Sequence, residues 1–115
     1  MQEFNLSIME KIYILYEFFY GLRKTAPKPD RYAIWQKCDE ELLGILENIY
    51  IASRVDKVRK SEMLWEVDLQ LNFIKILVRF MKGVKTLDNK SYGIIKKSLD
   101  EIGRMLGGWM NSLKA

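Results

Sequence analysis

The sequence contains no histidine. That removes the commonest metal ligand and the commonest general base together. It contains one cysteine, Cys38, so no internal disulfide can form. A lone thiol at an apolar helical position reads as a small buried residue, and a reducing compartment suits it. Two prolines and seven glycines are few for an all-β chain full of tight turns. No uncharged run approaches the ~20 residues of a membrane span. The most apolar stretch, IYILYEFFYGL, is interrupted by Glu17. The opening MQEFNLSIMEK lacks a basic segment followed by a long apolar one, so no signal peptide is expected and a cytoplasmic location is.

Catalytic constellations are missing as well. Asp39-Glu40-Glu41 and Asp100-Glu101 are adjacent in sequence, so on a helix they splay rather than converge. A di-metal bundle needs a Glu-x-x-His motif. Ser53, Ser61, Ser91 and Ser98 have no histidine to activate them. No phosphate-binding glycine loop or nucleophile elbow occurs. The expectation is a non-enzyme with no cofactor and no metal.

What is present is helical. The 115 residues suit one domain, spanning 1–115, and 49% hydrophobic content is enough for a core. Apolar residues recur at three-four spacing in four segments. The first seam is Ile8, Ile12, Leu15, Phe19 and Leu22. The second is Trp35, Cys38, Leu42, Ile45, Ile49 and Ala52. The third is Met63, Val67, Ile74, Leu77, Met81 and Val84, with Gln70 as its polar member. The fourth is Tyr92, Ile95, Leu99, Ile102, Leu106, Trp109 and Leu113. Breaks fall at Thr25–Asp30, which holds both prolines, at the charged connector Val55–Lys60, and at Thr86–Asn89, where Asp88 is an N-cap candidate. Four helices of roughly 20 residues with short links make an all-α, antiparallel up-down-up-down four-helix bundle.

Two of these helices carry more than a core stripe. The first adds Tyr13, Ile14, Tyr16, Phe18 and Tyr20; the third adds Leu64, Trp65, Leu69, Leu71, Phe73, Ile76, Val78 and Phe80. A helix apolar nearly all round is buried on more than one side, which predicts a homo-oligomer.

Charge is unevenly spread. Residues 1–53 carry six Lys/Arg against eight Asp/Glu, and residues 54–115 carry thirteen against seven. A basic half points to an anionic partner. Lys75, Arg79 and Lys82 stand at i, i+4 and i+7 on the third helix, Lys85 follows, and Lys96, Lys97 and Arg104 lie on the fourth. Such a stripe tracks phosphates without reading bases. A membrane surface is the competing use of a basic face, but it needs free aromatics, and here they are committed to core and interface.

The last helix closes with GRMLGGWMNSLKA. Each interior glycine costs about 1 kcal/mol relative to alanine. Gly103 and Gly107 are four apart, so a notch for a second backbone is expected there. Trp109 is expected in the core, and Arg104 at a subunit contact or on the basic surface.

LNFIKILVRFMKGV together with GRMLGGW resembles the accessory variability determinant (Avd) proteins of diversity-generating retroelements. Arg79-Phe80 with Gly83, and Gly103, Arg104, Leu106, Gly107 and Trp109, carry the resemblance, which is specific over roughly residues 69–110. Over residues 1–60 it rests on helix layout and the proline-containing link. It implies a bacterial, archaeal or phage-encoded four-helix protein assembling as a ring-like homopentamer. It implies a reverse transcriptase as partner, nucleic-acid binding through a basic surface, and a role in copying template-repeat RNA into cDNA. Lys75 and Arg79 fall where that family places basic residues on its third helix, and Arg104 on its motif arginine. The four-helix proteins of rRNA intervening sequences are similar in layout and imply the alternative, a structural oligomeric interaction bundle.

Overall fold

The four predicted helices form, and a fifth, single-turn helix sits in the proline link. The computed structural model describes the backbone of residues 2–114 and the side chains of residues 7–114; residues 1 and 115 of the expected domain lie outside the described residues. The elements are α1 (Gln2–Gly21), a 3-10 turn (Arg23–Thr25), α2 (Lys28–Arg31), α3 (Ile34–Ala52), α4 (Lys57–Gly83) and α5 (Asn89–Ser112). No strand occurs among the described residues. α1 and α4 each pack against both α3 and α5, so α1 and α4 lie on the diagonal of a square bundle, 46 Å long.

Cross-helix pairs give the direction of each neighbour. Tyr16 meets Asp39 and Phe19 meets Trp35 across α1 and α3. Lys75 meets Asp100 and Lys82 meets Tyr92 across α4 and α5. In both cases one number rises as the other falls, so the helices are antiparallel.

The core follows the seams. All six residues of the second seam are buried, as are Ile8, Ile12, Leu15 and Phe19 of α1. The Phe19 and Trp35 rings stack 3.8 Å apart at 7°. Ile95, Leu99, Ile102, Leu106 and Trp109 fill the α5 side, with Tyr92 and Leu113 half-buried at its ends. α4 departs from expectation. Leu64, Leu71 and Val78 are buried with Val67, Ile74, Leu77 and Met81, while Val84 is exposed and Met63 only half-buried. The inward face of α4 is therefore rotated toward Leu71 and Val78. Gln70 at its edge accepts a 2.8 Å hydrogen bond from Asn48 of α3, which pairs the two amides at the rim.

Caps mark the helix starts. Asp56 accepts from the Arg59 N–H at 3.0 Å, so α4 begins at Lys57 and the expected charged connector is shorter than Val55–Lys60. Asp88 accepts from the Ser91 N–H at 2.7 Å, which fulfils the predicted cap of α5. That bond lowers the Asp88 carboxyl below its usual range. At the far end of α4 the Thr86 N–H returns to Met81 O at 2.8 Å and the Lys85 N–H to Lys82 O at 3.1 Å. This is a Schellman closure with Lys85, at φ 67°, in the left-handed seat that glycine usually takes.

Within the chain no second backbone lies against the two glycines. A Cβ built at Gly103 meets only the Leu71 and Lys75 side chains, at 3.6 and 3.7 Å, and one at Gly107 meets nothing within 4 Å. Both are ordinary spacings or open space, so neither glycine admits a second backbone within the chain. Helical periodicity puts the two glycines on one face, half-buried against α4 side chains at Gly103 and exposed at Gly107.

Candidate nucleic-acid interface

The basic residues divide by helix face. Lys75, Arg79 and Lys82 project along one flank of α4, and the antiparallel packing of α5 brings Lys96 opposite them. Together they line a groove of about 460 Å³ with Tyr92, the apolar side chains Val78 and Leu99, and Ile76. The Lys82 ammonium lies 4.8 Å from the centre of the Tyr92 ring, a cation–π distance.

One carboxylate pairs with two of these lysines. Asp100 lies 3.0 Å from the Lys96 ammonium and 3.4 Å from that of Lys75. The hydrogen bond from Lys96 holds the Asp100 carboxyl below the usual aspartate range, with Lys75 adding to it, and raises the Lys96 ammonium in return. The pairs are exposed, so they contribute little to stability. Their effect is on charge: Asp100 partly neutralises one end of the groove. Among the described residues, no carboxylate pairs with Arg79 or Lys82 at the other end.

The remaining three sequence candidates lie elsewhere. Lys97 follows Lys96 by about 100° around the helix, which turns it to the α1 side. It and Arg104 sit near Glu101, whose carboxyl is lowered chiefly by Lys11 of α1, 3.0 Å away, and further by Lys97 and Arg104. Lys85 stands exposed on the α4–α5 loop. The structure thus brings Lys75, Arg79, Lys82 and Lys96 together and leaves Lys85, Lys97 and Arg104 outside the groove.

Tyr92 lines the groove and Asp100 pairs with two of its lysines, and the sequence marked neither for this role. Tyr92 reads as a core residue; it is half-buried against the core and also carries Lys82 over its ring. Asp100 carried a signal in its i, i+4 spacing from Lys96.

Chemically, a row of cations beside an aromatic ring suits a polyanion. Among the described residues no cluster of three or more Cys, Asp and Glu is placed to hold a metal ion, and no helix is long and apolar enough to cross a membrane.

The sequence profile of the bAvd-like family matches residues 6–113. The chain belongs to the bAvd-like family. Members act as accessory proteins in diversity-generating retroelements, and the family is generally non-catalytic. The bAvd-like match runs from α1 to the end of α5 and takes in the whole groove. It also takes in GRMLGGW, where Leu106 and Trp109 point into the core and Arg104 points out. No individually curated protein matches the chain.

Proposed function

We propose that this bAvd-like chain is a non-catalytic subunit that binds RNA or cDNA through the α4–α5 groove and joins a retroelement reverse transcriptase in mutagenic retrohoming. The observation that carries the reading is the convergence of Lys75, Arg79, Lys82 and Lys96 on one groove, with Arg79 and Lys82 free of carboxylates among the described residues. Lys85 extends the basic surface past the end of α4, and Lys97 with Arg104 offers a second, weaker one. The working unit is a ring-like homopentamer of one four-helix domain, in the cytoplasm. Family membership supports the retroelement setting, and the exposed apolar residues of α4 support self-association.

RNA affinity measured against salt tests the groove. Each phosphate contact on a single strand contributes about −0.7 to the slope of log affinity against log salt. Replacing Lys75, Arg79 and Lys82 with alanine should flatten the slope by about 2. Asp100→Asn should strengthen binding, because it releases Lys75 and Lys96. An unchanged slope in the triple variant rules the groove out.

The second reading is a structural oligomeric bundle like the rRNA intervening-sequence proteins. The exposed stripe on α4 favours it, and it predicts no salt-dependent RNA binding at all.

A further inference from the structure

Two exposed faces of the bundle are apolar, and they differ in charge. On α4 the side chains Trp65, Leu69, Phe73, Ile76 and Phe80 remain 39–65% exposed. Their spacing of four, four, three and four keeps them on one stripe, pointing away from the core, over about 22 Å of helix. Monomers rarely leave such a contiguous patch to water. Glu62, Glu66 and Asp68 surround the Trp65 end of the stripe, whereas from Leu69 to Gly83 the helix carries Lys75, Arg79 and Lys82 and no acid.

The other face lies between α1 and α3. Tyr13, Tyr20, Leu43 and Tyr50 are 43–64% exposed there. A cavity of about 430 Å³ opens among Tyr13, Tyr16, Glu17, Tyr20 and Leu46. Glu10, Glu17, Glu40 and Glu47 are exposed on the same two helices. This face is concave, tyrosine-lined and acidic, whereas the α4 stripe is a ridge with Glu66 beside its Trp65 half and Arg79 beside its Phe80 half.

We infer that the α4 stripe of one copy docks into the α1–α3 tyrosine groove of a second copy, with the Phe80 half of the stripe, where α4 carries no acid, toward the acidic face. The inference rests on the proposed self-association and adds which faces meet. A ridge entering a groove is how helices pack. The alternative, α4 against α4 about a twofold axis, covers one apolar face and leaves the tyrosine face wet. Two unlike faces on different sides of one chain make a head-to-tail contact, the type that builds a ring when its rotation closes. The α4–α5 groove borders this contact, so its cations are ordered by assembly.

Two exposed substitutions test the pairing. Ile76→Glu places a carboxylate on the stripe, against the acidic face; Tyr13→Lys places a cation on the tyrosine face, against the basic flank. Circular dichroism should show both variants folded, because neither site is in the core. By light scattering each alone should fall from the wild-type mass to the 13.6 kDa monomer. Mixed in equal amounts, they should associate to at least twice that mass, because one intact stripe and one intact groove remain in every mixed pair. A Tyr13→Lys variant that keeps the wild-type mass, or a mixture that stays monomeric, overturns the pairing of faces. A monomeric wild type removes self-association itself, and this inference with it.

Discussion

Thr86 donates a 2.7 Å hydrogen bond to Asp30, joining the α4–α5 loop to the single-turn helix of the proline link. Thr86 is 5% exposed, and the bond spans 56 residues of sequence. It fastens two loops at one end of the bundle, next to the Schellman closure of α4. Thr86→Val keeps the shape and removes the donor. It should cost about 1–2 kcal/mol of unfolding free energy, read by urea titration. Asp30→Asn keeps an acceptor and should cost less.

Lys85 holds a left-handed backbone that a side chain disfavours. Lys85→Gly should stabilise the chain by about 1 kcal/mol if the loop geometry is retained. The same substitution removes a cation near the groove and should weaken RNA binding slightly. Stability and affinity moving in opposite directions would mark Lys85 as a residue kept for charge.

Trp109 is fully buried, and its indole N–H has no hydrogen-bond partner among the described residues. Trp109→Ala should cost about 3–5 kcal/mol, as for other buried aromatics. Trp109→Phe removes the unsatisfied donor along with part of the ring. The two effects oppose each other, so the phenylalanine variant should lose well under half as much in thermal or urea unfolding. Equal losses for both variants would show that the N–H is satisfied.

Cys38 is buried, and burial pushes its thiol up to about 12, with Asp39 and Glu41 adding to the rise. In the unfolded chain the thiol titrates near 8.5. Its contribution is therefore full below pH ~8.5 and drains as pH rises toward the folded value, because only the unfolded state ionises. Above pH ~8.5 the slope approaches about 1.4 kcal/mol per pH unit. Cys38→Ala should be less stable at pH 7 yet lack this alkaline loss between pH 8.5 and 10, which urea unfolding across that range will show.

Much of the fold was legible because α3 and α5 are amphipathic, so Trp35 to Ala52 could be placed residue by residue. The seam read for α1, from Ile8 to Phe19, is the buried one as well. α4 was different. Apolar residues surround it, and periodicity alone does not say whether Met63 and Val84 or Leu71 and Val78 face inward. Only the positions of α3 and α5 decide that. Gly103 and Gly107 make a related point: spacing gives a shared face, not what lies opposite it. The basic residues were visible as a list of charges. Their division into a groove and outliers was not, since Lys96 and Lys97 are neighbours in sequence but face different helices. Asp100 shows the limit most clearly. Its i, i+4 pairing with Lys96 could be read, but its reach to Lys75 depends on the register of α5 against α4.

Of the three tryptophans, Trp35 and Trp109 are buried and Trp65 is 59% exposed on the α4 stripe. The chain therefore has an optical probe of its own. Its long-wavelength emission and its sensitivity to an aqueous quencher come from one known position. Whatever covers α4, whether a second copy or another protein, will announce itself as a blue shift and a loss of quenching, with no label attached.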